Sequence, residues 1–283
     1  MGPLRRSQTD RSQALGPARA LALALAILLV GGAALAQAVI TQKGNQAVIT
    51  QKGNLRVTVT GKISPYTLPR SGVAPIAVSV GGQVSTTDES LPPQLKVLTI
   101  DINRNGQLDY RGLPVCTLHQ IQPSSNSRAL AACRPSLVGQ GTFSAYIVLK
   151  GQEPYASTGR LLVFNGKEHG KQVLLGHIYI AQPFASSFVI TFGIGRHGHG
   201  QFGTTFTAHL AKALGTRRYL TGIEMTLQRR YSYRGARHSY LSSGCPAPKG
   251  FTKAPFPLMR ASFDFAGGKT LASTLTSTCG ARG

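Results

Sequence analysis

From Thr216 to Tyr240 the chain reads TRRYLTGIEMTLQRRYSYRGARHSY. This stretch sets Arg217, Arg218, Arg229, Arg230, Arg234 and Arg237 among four of the nine tyrosines: Tyr219, Tyr231, Tyr233 and Tyr240. A guanidinium presents a fork of donors that fits phosphate, sulfate and carboxylate, and a tyrosine face takes a sugar ring, a base or another guanidinium. Only Glu224 opposes these arginines within the stretch. The residue types point to an anion-binding surface with Arg217, Arg218, Arg229, Arg230, Tyr231, Tyr233, Arg234 and Arg237 as its contacts. The competing account is a solvated hairpin whose tyrosines pack on the body of the protein while its arginines keep it soluble.

Acid–base chemistry has little to work with. Beyond residue 36 the acidic side chains are Asp88, Glu89, Asp101, Asp109, Glu153, Glu168, Glu224 and Asp264, none of them in a paired-carboxylate pattern. Asp88 and Glu89 fall in a Thr-Thr-Asp-Glu-Ser loop and Glu168 in an Asn-Gly-Lys-Glu-His-Gly turn. No Gly-x-Ser-x-Gly elbow, phosphate-binding P-loop or His-Glu-x-x-His occurs.

Two segments have metal-ligand character. Asp101 to Asp109, DINRNGQLD, resembles the first nine positions of an EF-hand or dockerin calcium loop. The twelfth position is Gly112, where a bidentate carboxylate belongs, and Arg104 and Arg111 add positive charge. The segment reads instead as a β-hairpin turned by Asn105-Gly106. His197 and His199 form a His-x-His pair, with His177 and His209 on neighbouring strands, but no carboxylate lies close in sequence. Glycines at 193, 195, 198, 200 and 203 mark a flexible hairpin loop there. Neither metal nor cofactor is expected.

Ser242-Ser243-Gly244-Cys245, with His199-Gly200 upstream, resembles fragments of the L,D-transpeptidase motif, in which a His activates a Ser-x-Gly-Cys thiolate. The resemblance implies an exported, largely β transpeptidase or hydrolase with Cys245 as nucleophile. That family's signature has an arginine two residues after the cysteine, where this chain has Ala247, and Cys279 offers Cys245 a bonding partner. The enzyme reading therefore stands second to a binding protein.

Charge and address agree with an exported binder. The 283 residues carry 31 Lys and Arg against 9 Asp and Glu, a formal charge of +22. Arg5, Arg6, Arg11 and Arg19 precede an uncharged apolar run from Ala20 to Ala36 that ends Ala34-Leu35-Ala36. This is the polarity of a Sec-type signal peptide over residues 1–36, cleaved before Gln37, with an uncleaved anchor as the alternative. Cys116, Cys133, Cys245 and Cys279 all follow it, as expected of a chain oxidised outside the cytoplasm. Three pairings are possible, and nearest-neighbour pairing closes loops of moderate size. Outside the cytoplasm the anions met are mostly envelope polymers and lipid head groups, which makes nucleic acid an unlikely partner.

The elements that would position these residues are strands. Residues 37–54 repeat QAVITQKGN twice in tandem, read as a flexible leader, since two copies cannot build a solenoid. From Leu55 to Gly283 short apolar runs alternate with small polar residues and are broken by Gly, Pro and Asn, the period-two pattern of half-buried strands. Leu55–Val59, Ile76–Val80, Val97–Ile102, Phe143–Leu149, Leu174–Ile180, Phe188–Phe192, Phe202–Leu210, Ile223–Leu227, Ala261–Phe265 and Leu271–Leu275 read this way. Only Ser125 to Cys133, SNSRALAAC, reads as helix. The fold class is all-β, as one large β-sandwich or two smaller ones, with a weak boundary near residues 151–159.

The landmarks Gly112-Leu-Pro-Val-Cys116, Ala129-Leu-Ala-Ala-Cys133, Phe164-Asn-Gly166, Phe202-Gly-Thr204 and Cys245-Pro-Ala-Pro248 resemble those of a set of uncharacterised exported proteins of high-GC bacteria. The resemblance runs from about Leu55 to Cys279 and implies one module with two disulfides and no catalytic residues. The resulting expectation is an exported, non-enzymatic protein that binds an anionic polymer or lipid surface of the cell envelope through its Arg/Tyr-rich region.

Overall fold

The computed structural model describes Gly2, residues 36–42 and residues 45–283. The expected signal peptide lies outside the described residues apart from Gly2 and Ala36. Residues 35–283 form one compact unit.

The tandem repeat is not a flexible leader. Its copies form β1 (Ala36–Gln42) and β2 (Asn45–Lys52), which pair antiparallel with Val39 opposite Val48. The β-branched Val-Ile-Thr of each copy favours a strand, and β2 goes on to pair with β3 (Leu55–Ser64), with Val48 opposite Val59. Next come β4 (Thr67–Pro69), β5 (Ala74–Pro75), β6 (Ala77–Thr86), β7 (Leu95–Asn103) and β8 (Gly106–Leu108). A helical segment follows, α1 (Leu118–Ile121) and α2 (Asn126–Cys133), the second starting at Ser125, whose hydroxyl accepts from Arg128 N–H.

The chain then lays down β9 (Leu137–Ile147), β10 (Tyr155–Glu168), β11 (Lys171–Ile180), β12 (Ser186–Arg196) and β13 (Phe202–His209). After α3 (Leu210–Leu214) come β14 (Arg218–Leu227), β15 (Arg230–Tyr233), β16 (Ala236–Ser239), β17 (Leu241–Ser243), β18 (Lys253–Phe265) and β19 (Thr270–Arg282). Fourteen strands form a single sheet in the order β1-β2-β3-β6-β14-β9-β10-β11-β12-β13-β7-β18-β19-β4, antiparallel except at β19-β4. Each of the ten strands expected from alternation corresponds to a strand of this sheet, with Ile76, Val148, Leu149 and Leu210 at the expected ends lying just outside it.

The sheet curls over on itself, so that the fold is the one large sandwich, its layers being halves of one continuous sheet. Apolar residues of β3, β6 and β14 face those of β7 and β18: Val59, Val80 and Ile223 meet Leu98, Ile100 and Phe263. Phe143 of β9 meets Phe188 of β12 edge-on with ring centroids 5.3 Å apart. The sheet ends meet where Thr50 of β2 and Ser273 of β19, both buried, hydrogen bond at 2.7 Å. Gly61 allows that approach, since a Cβ there would lie 2.5 Å from Leu275.

No boundary falls near residues 151–159. Ser157 and Gly159 lie inside β10, which pairs with β9 on one side and β11 on the other. The Ser157 hydroxyl donates to Gln182 O at 2.7 Å, and a Cβ at Gly159 would lie 2.6 Å from Tyr179 O, so both small residues answer local packing demands rather than a break.

A second, smaller core lies on the outer face of β10 to β12. There Leu162, Phe164, Val173, Leu175 and Val189 are covered by Ile121, Ala129 and the Cys116–Cys133 disulfide. Cys116 also bridges to β10 beyond the end of β9, its N–H donating to Asn165 O at 2.9 Å. The other disulfide joins Cys245 to Cys279, so the nearest-neighbour pairing is the one present. No helix among the described residues is long and apolar enough to cross a membrane.

Candidate functional site

Three loops gather at one end of the curled sheet. The first leaves β7 at Asn103 and turns through Arg104 and Asn105, with Asn103 Oδ1 accepting from Asn105 N–H at 2.9 Å. The expected Asn105-Gly106 hairpin is not formed: β7 stays in the large sheet, while β8 leaves it to join a small sheet ordered β5-β17-β8. The second loop is the glycine-rich tip between β12 and β13, where His197 N–H donates to Gly203 O at 2.9 Å. Arg104 ties the two together, its N–H donating to Gln201 O at 2.9 Å and its Nη2 to Gly198 O at 3.1 Å.

The third is the β15-β16 hairpin, turned at Arg234-Gly235, both with positive φ (50° and 77°) as a two-residue hairpin turn of this hand requires. It docks on the loop after β8. Tyr231 Oη donates to Asp109 O at 3.1 Å, and the Tyr233 ring occupies the space a side chain at Gly112 would fill. His238 stacks on Tyr231 with centroids 5.5 Å apart, and its Nδ1 lies 3.2 Å from Asp109 Oδ2. Arg111 donates to the same carboxylate from Nε at 3.0 Å and Nη2 at 2.9 Å. Those bonds hold the Asp109 carboxyl well below the usual carboxylate range.

Between these loops lies a groove of about 940 Å3 lined by Arg104, Arg111, Arg196, His197, Arg237 and His238. Its one carboxylate, Asp109, is engaged by Arg111. Arg196 donates to Leu108 O at 3.3 Å with its guanidinium 5.8 Å from the Tyr110 ring centroid, which fixes its position without neutralising it. Among the described residues Arg104, Arg196 and Arg237 have no carboxylate within ion-pair distance. Three uncompensated guanidiniums around one concavity suit an oxyanion.

The contacts expected from the sequence divide. Arg237 lines the groove, and Tyr231 and Tyr233 build the hairpin's seat rather than offering free faces. Arg230 and Arg234 are exposed on the same hairpin, Arg234 stacked on Tyr233 at 5.2 Å. Arg229 donates to Pro135 O at 3.4 Å. Arg217 and Arg218 stand at the other end of β14, about 30 Å away at roughly 3.3 Å per residue. Arg218 is half-buried over the Phe188 ring at 5.2 Å and donates to Leu214 O at 3.3 Å. Arg104 and Arg196 were the residues missed. The signal available for them is that each sits beside a glycine, Arg104 in the turn before Gly106 and Arg196 after Gly195 at the end of β12.

The other candidates resolve into structure. Asp101 accepts from Arg260 Nε and Nη2 at 3.0 and 2.7 Å and from Thr205 Oγ1 at 2.5 Å, so it is saturated by protein donors. His197 bonds to Thr205 Oγ1 at 2.7 Å. No group of three or more His, Cys, Asp or Glu able to hold a metal occurs among the described residues. Cys245 is buried and bonded to Cys279, which leaves it no thiolate for nucleophilic chemistry. His177 is fully buried, and its Nε2 donates to Ser124 O at 3.0 Å. With Nε2 already protonated and donating, it cannot take a proton from the Ser124 hydroxyl, which itself donates to Ile121 O at 2.7 Å, so the two are not a nucleophile and base.

Neither protein-family models, curated proteins nor solved structures give a match to this chain.

Proposed function

We propose that this chain is an exported, non-enzymatic protein that binds oxyanions of an anionic cell-envelope molecule in the groove between the loops after β7, β12 and β15. The observation that carries the reading is the convergence of Arg104, Arg196 and Arg237 on one concavity whose single carboxylate is already engaged by Arg111. A chain with formal charge +22 draws anions towards its surface over roughly a Debye length of about 8 to 10 Å. The groove then fixes phosphate, sulfate or carboxylate by forked, charge-assisted hydrogen bonds at about 2.7 to 2.9 Å. Two disulfides fit an oxidising location.

The test is co-sedimentation of the protein with purified envelope fractions across a sodium chloride series, with inorganic phosphate binding measured by calorimetry alongside. Binding at low salt that fades as salt rises, with competition by phosphate, is the expected result. No binding at low salt overturns the reading.

A further inference from the structure

The groove is not the whole of this end of the molecule. Directly beneath it the curled sheet encloses an apolar cavity of about 70 Å3, lined by residues from both layers, among them Val80, Ile100, Val163, Phe192, Met225 and Met259. A protein interior is normally packed without such space. At about 70 Å3 the cavity is smaller than the roughly 300 Å3 or more of a whole small-molecule site and holds a short stretch of chain as it stands, but it shares with such sites an apolar lining with a few polar groups at one end. Here Asn103, Gln107, Thr204, Ser242 and Ser243 are the polar residues on the wall, and they come from the end of β7, the start of β13 and the strands β8 and β17.

Those same elements line the groove. Gly106, Gln107, Leu108, Thr204 and Ser242 belong to the walls of both spaces, so one thin partition separates the basic groove from the apolar interior. The partition is the small sheet β5-β17-β8, whose strands are two or three residues long. It is joined by few ladder positions: Leu241 opposite Leu108, Ser242 opposite Gln107 and Pro75, and Ser243 opposite Gly106 and Ala74. A sheet this short opens at far lower cost than the large sheet around it. One side of it is tethered, because Ser243 runs through Gly244 into Cys245, which is bonded to Cys279 of β19 and donates its N–H to Pro69 O at 2.9 Å.

Positive charge outside, hydrocarbon inside and a narrow polar partition between them match a ligand with the same division. We infer that the groove and the cavity form one amphiphile site, in which Arg104, Arg196 and Arg237 hold an oxyanion head and an alkyl or acyl chain passes beside β8 and β17 into the sheet's apolar interior. The inference rests on the anion-binding reading of the groove and adds the chemical class of the ligand. Head-group chemistry is phosphate, sulfate or carboxylate. The chain contributes through apolar area removed from water, about 0.8 kcal/mol for each buried methylene or about fourfold in affinity.

The test uses the whole protein with inorganic phosphate and with butyl, hexyl, octyl and decyl phosphate below their micellar concentrations, by calorimetry at fixed salt. Affinity should climb about fourfold per added methylene and then level off where the cavity is full. In the same titrations, methyl resonances of Val80, Ile100, Met225 and Met259 should move with decyl phosphate and stay still with inorganic phosphate. Val78→Phe, which fills the cavity from β6, should remove the chain-length dependence while leaving inorganic phosphate binding intact. The methyl shifts decide the matter on the unaltered protein if that variant does not fold. Inorganic phosphate binding with no gain along the alkyl series and unmoved methyls overturns the amphiphile site and leaves the anion site standing. Binding of neither phosphate nor any alkyl phosphate overturns both. Chain-length dependence that survives both Arg196→Glu and Arg237→Glu shows a hydrophobic site without the head-group contacts, and overturns the inference as stated.

Discussion

Thr50 Oγ1 and Ser273 Oγ lie 2.7 Å apart, both buried, although 223 residues separate them. Thr50 belongs to the second copy of the tandem repeat and Ser273 to the penultimate strand of the sheet, so this pair holds the place where the curled sheet meets itself. Each hydroxyl satisfies the other, and removing one leaves its partner buried without a bond. Thr50→Val should therefore cost about 1 to 3 kcal/mol, and adding Ser273→Ala should recover most of that loss. Urea denaturation of the two single variants and the double variant measures the coupling. Additive losses would mean the pair contributes nothing as a pair.

The alternation of apolar and polar residues made most of the large sheet legible, because most of its strands are wet on one face; β11, buried on both faces from Val173 to Ile178, was legible only as an apolar run. β10 escaped that pattern: Leu161 to Phe164 is buried on both faces, the interior on one side and α1-α2 on the other, so it shows no alternation. The repeat's strands were not legible, and the two copies read as a flexible leader, since their place in the sheet depends on β3 and β19, far along the chain. The groove was legible only in part. Arg237 stood out beside its tyrosines, whereas Arg104, in the turn after β7, and Arg196, at the end of β12, share one end of the sheet only after it has curled.

Reversing charge at two groove positions separates the groove from general attraction. Arg196→Glu with Arg237→Glu should weaken inorganic phosphate binding by about tenfold or more, with an unchanged melting temperature, since neither guanidinium is buried. The same change at Arg217, exposed at the far end of β14, should alter only the salt-dependent association with envelope fractions. Equal losses from the two ends would show that binding is diffuse.

Acid should loosen the molecule through His177. Burial disfavours its charged form and pulls its pKa below the ordinary value of 6.5, against a smaller opposing effect of the bond to Ser124. The unfolded chain then binds the proton more readily than the folded one. The stability that comes from keeping this ring neutral is present above about pH 6.5 and is lost as pH falls from there towards the lowered folded value. Melting temperatures followed from pH 7.5 to 5 should fall, and the fall should be shallower in His177→Gln. Parallel curves for the two proteins would place the acid sensitivity elsewhere.

The Cys116–Cys133 bond has a role that its loop length alone does not convey. It joins the residue that bridges β10 to the end of α2, and α1-α2 is what covers Leu162, Phe164, Val173, Leu175 and Val189. Replacing both cysteines by alanine should cost about 2 to 4 kcal/mol, since the closed loop spans 17 residues of sequence. The loss should be local first, because the interior core does not depend on that flap. An increase in anilinonaphthalene sulfonate fluorescence at a denaturant concentration below the main transition would report the flap lifting from the outer face of β10 to β12. A single transition, with no dye binding ahead of it, would show that the flap and the sheet unfold as one unit and that the bond serves global stability only.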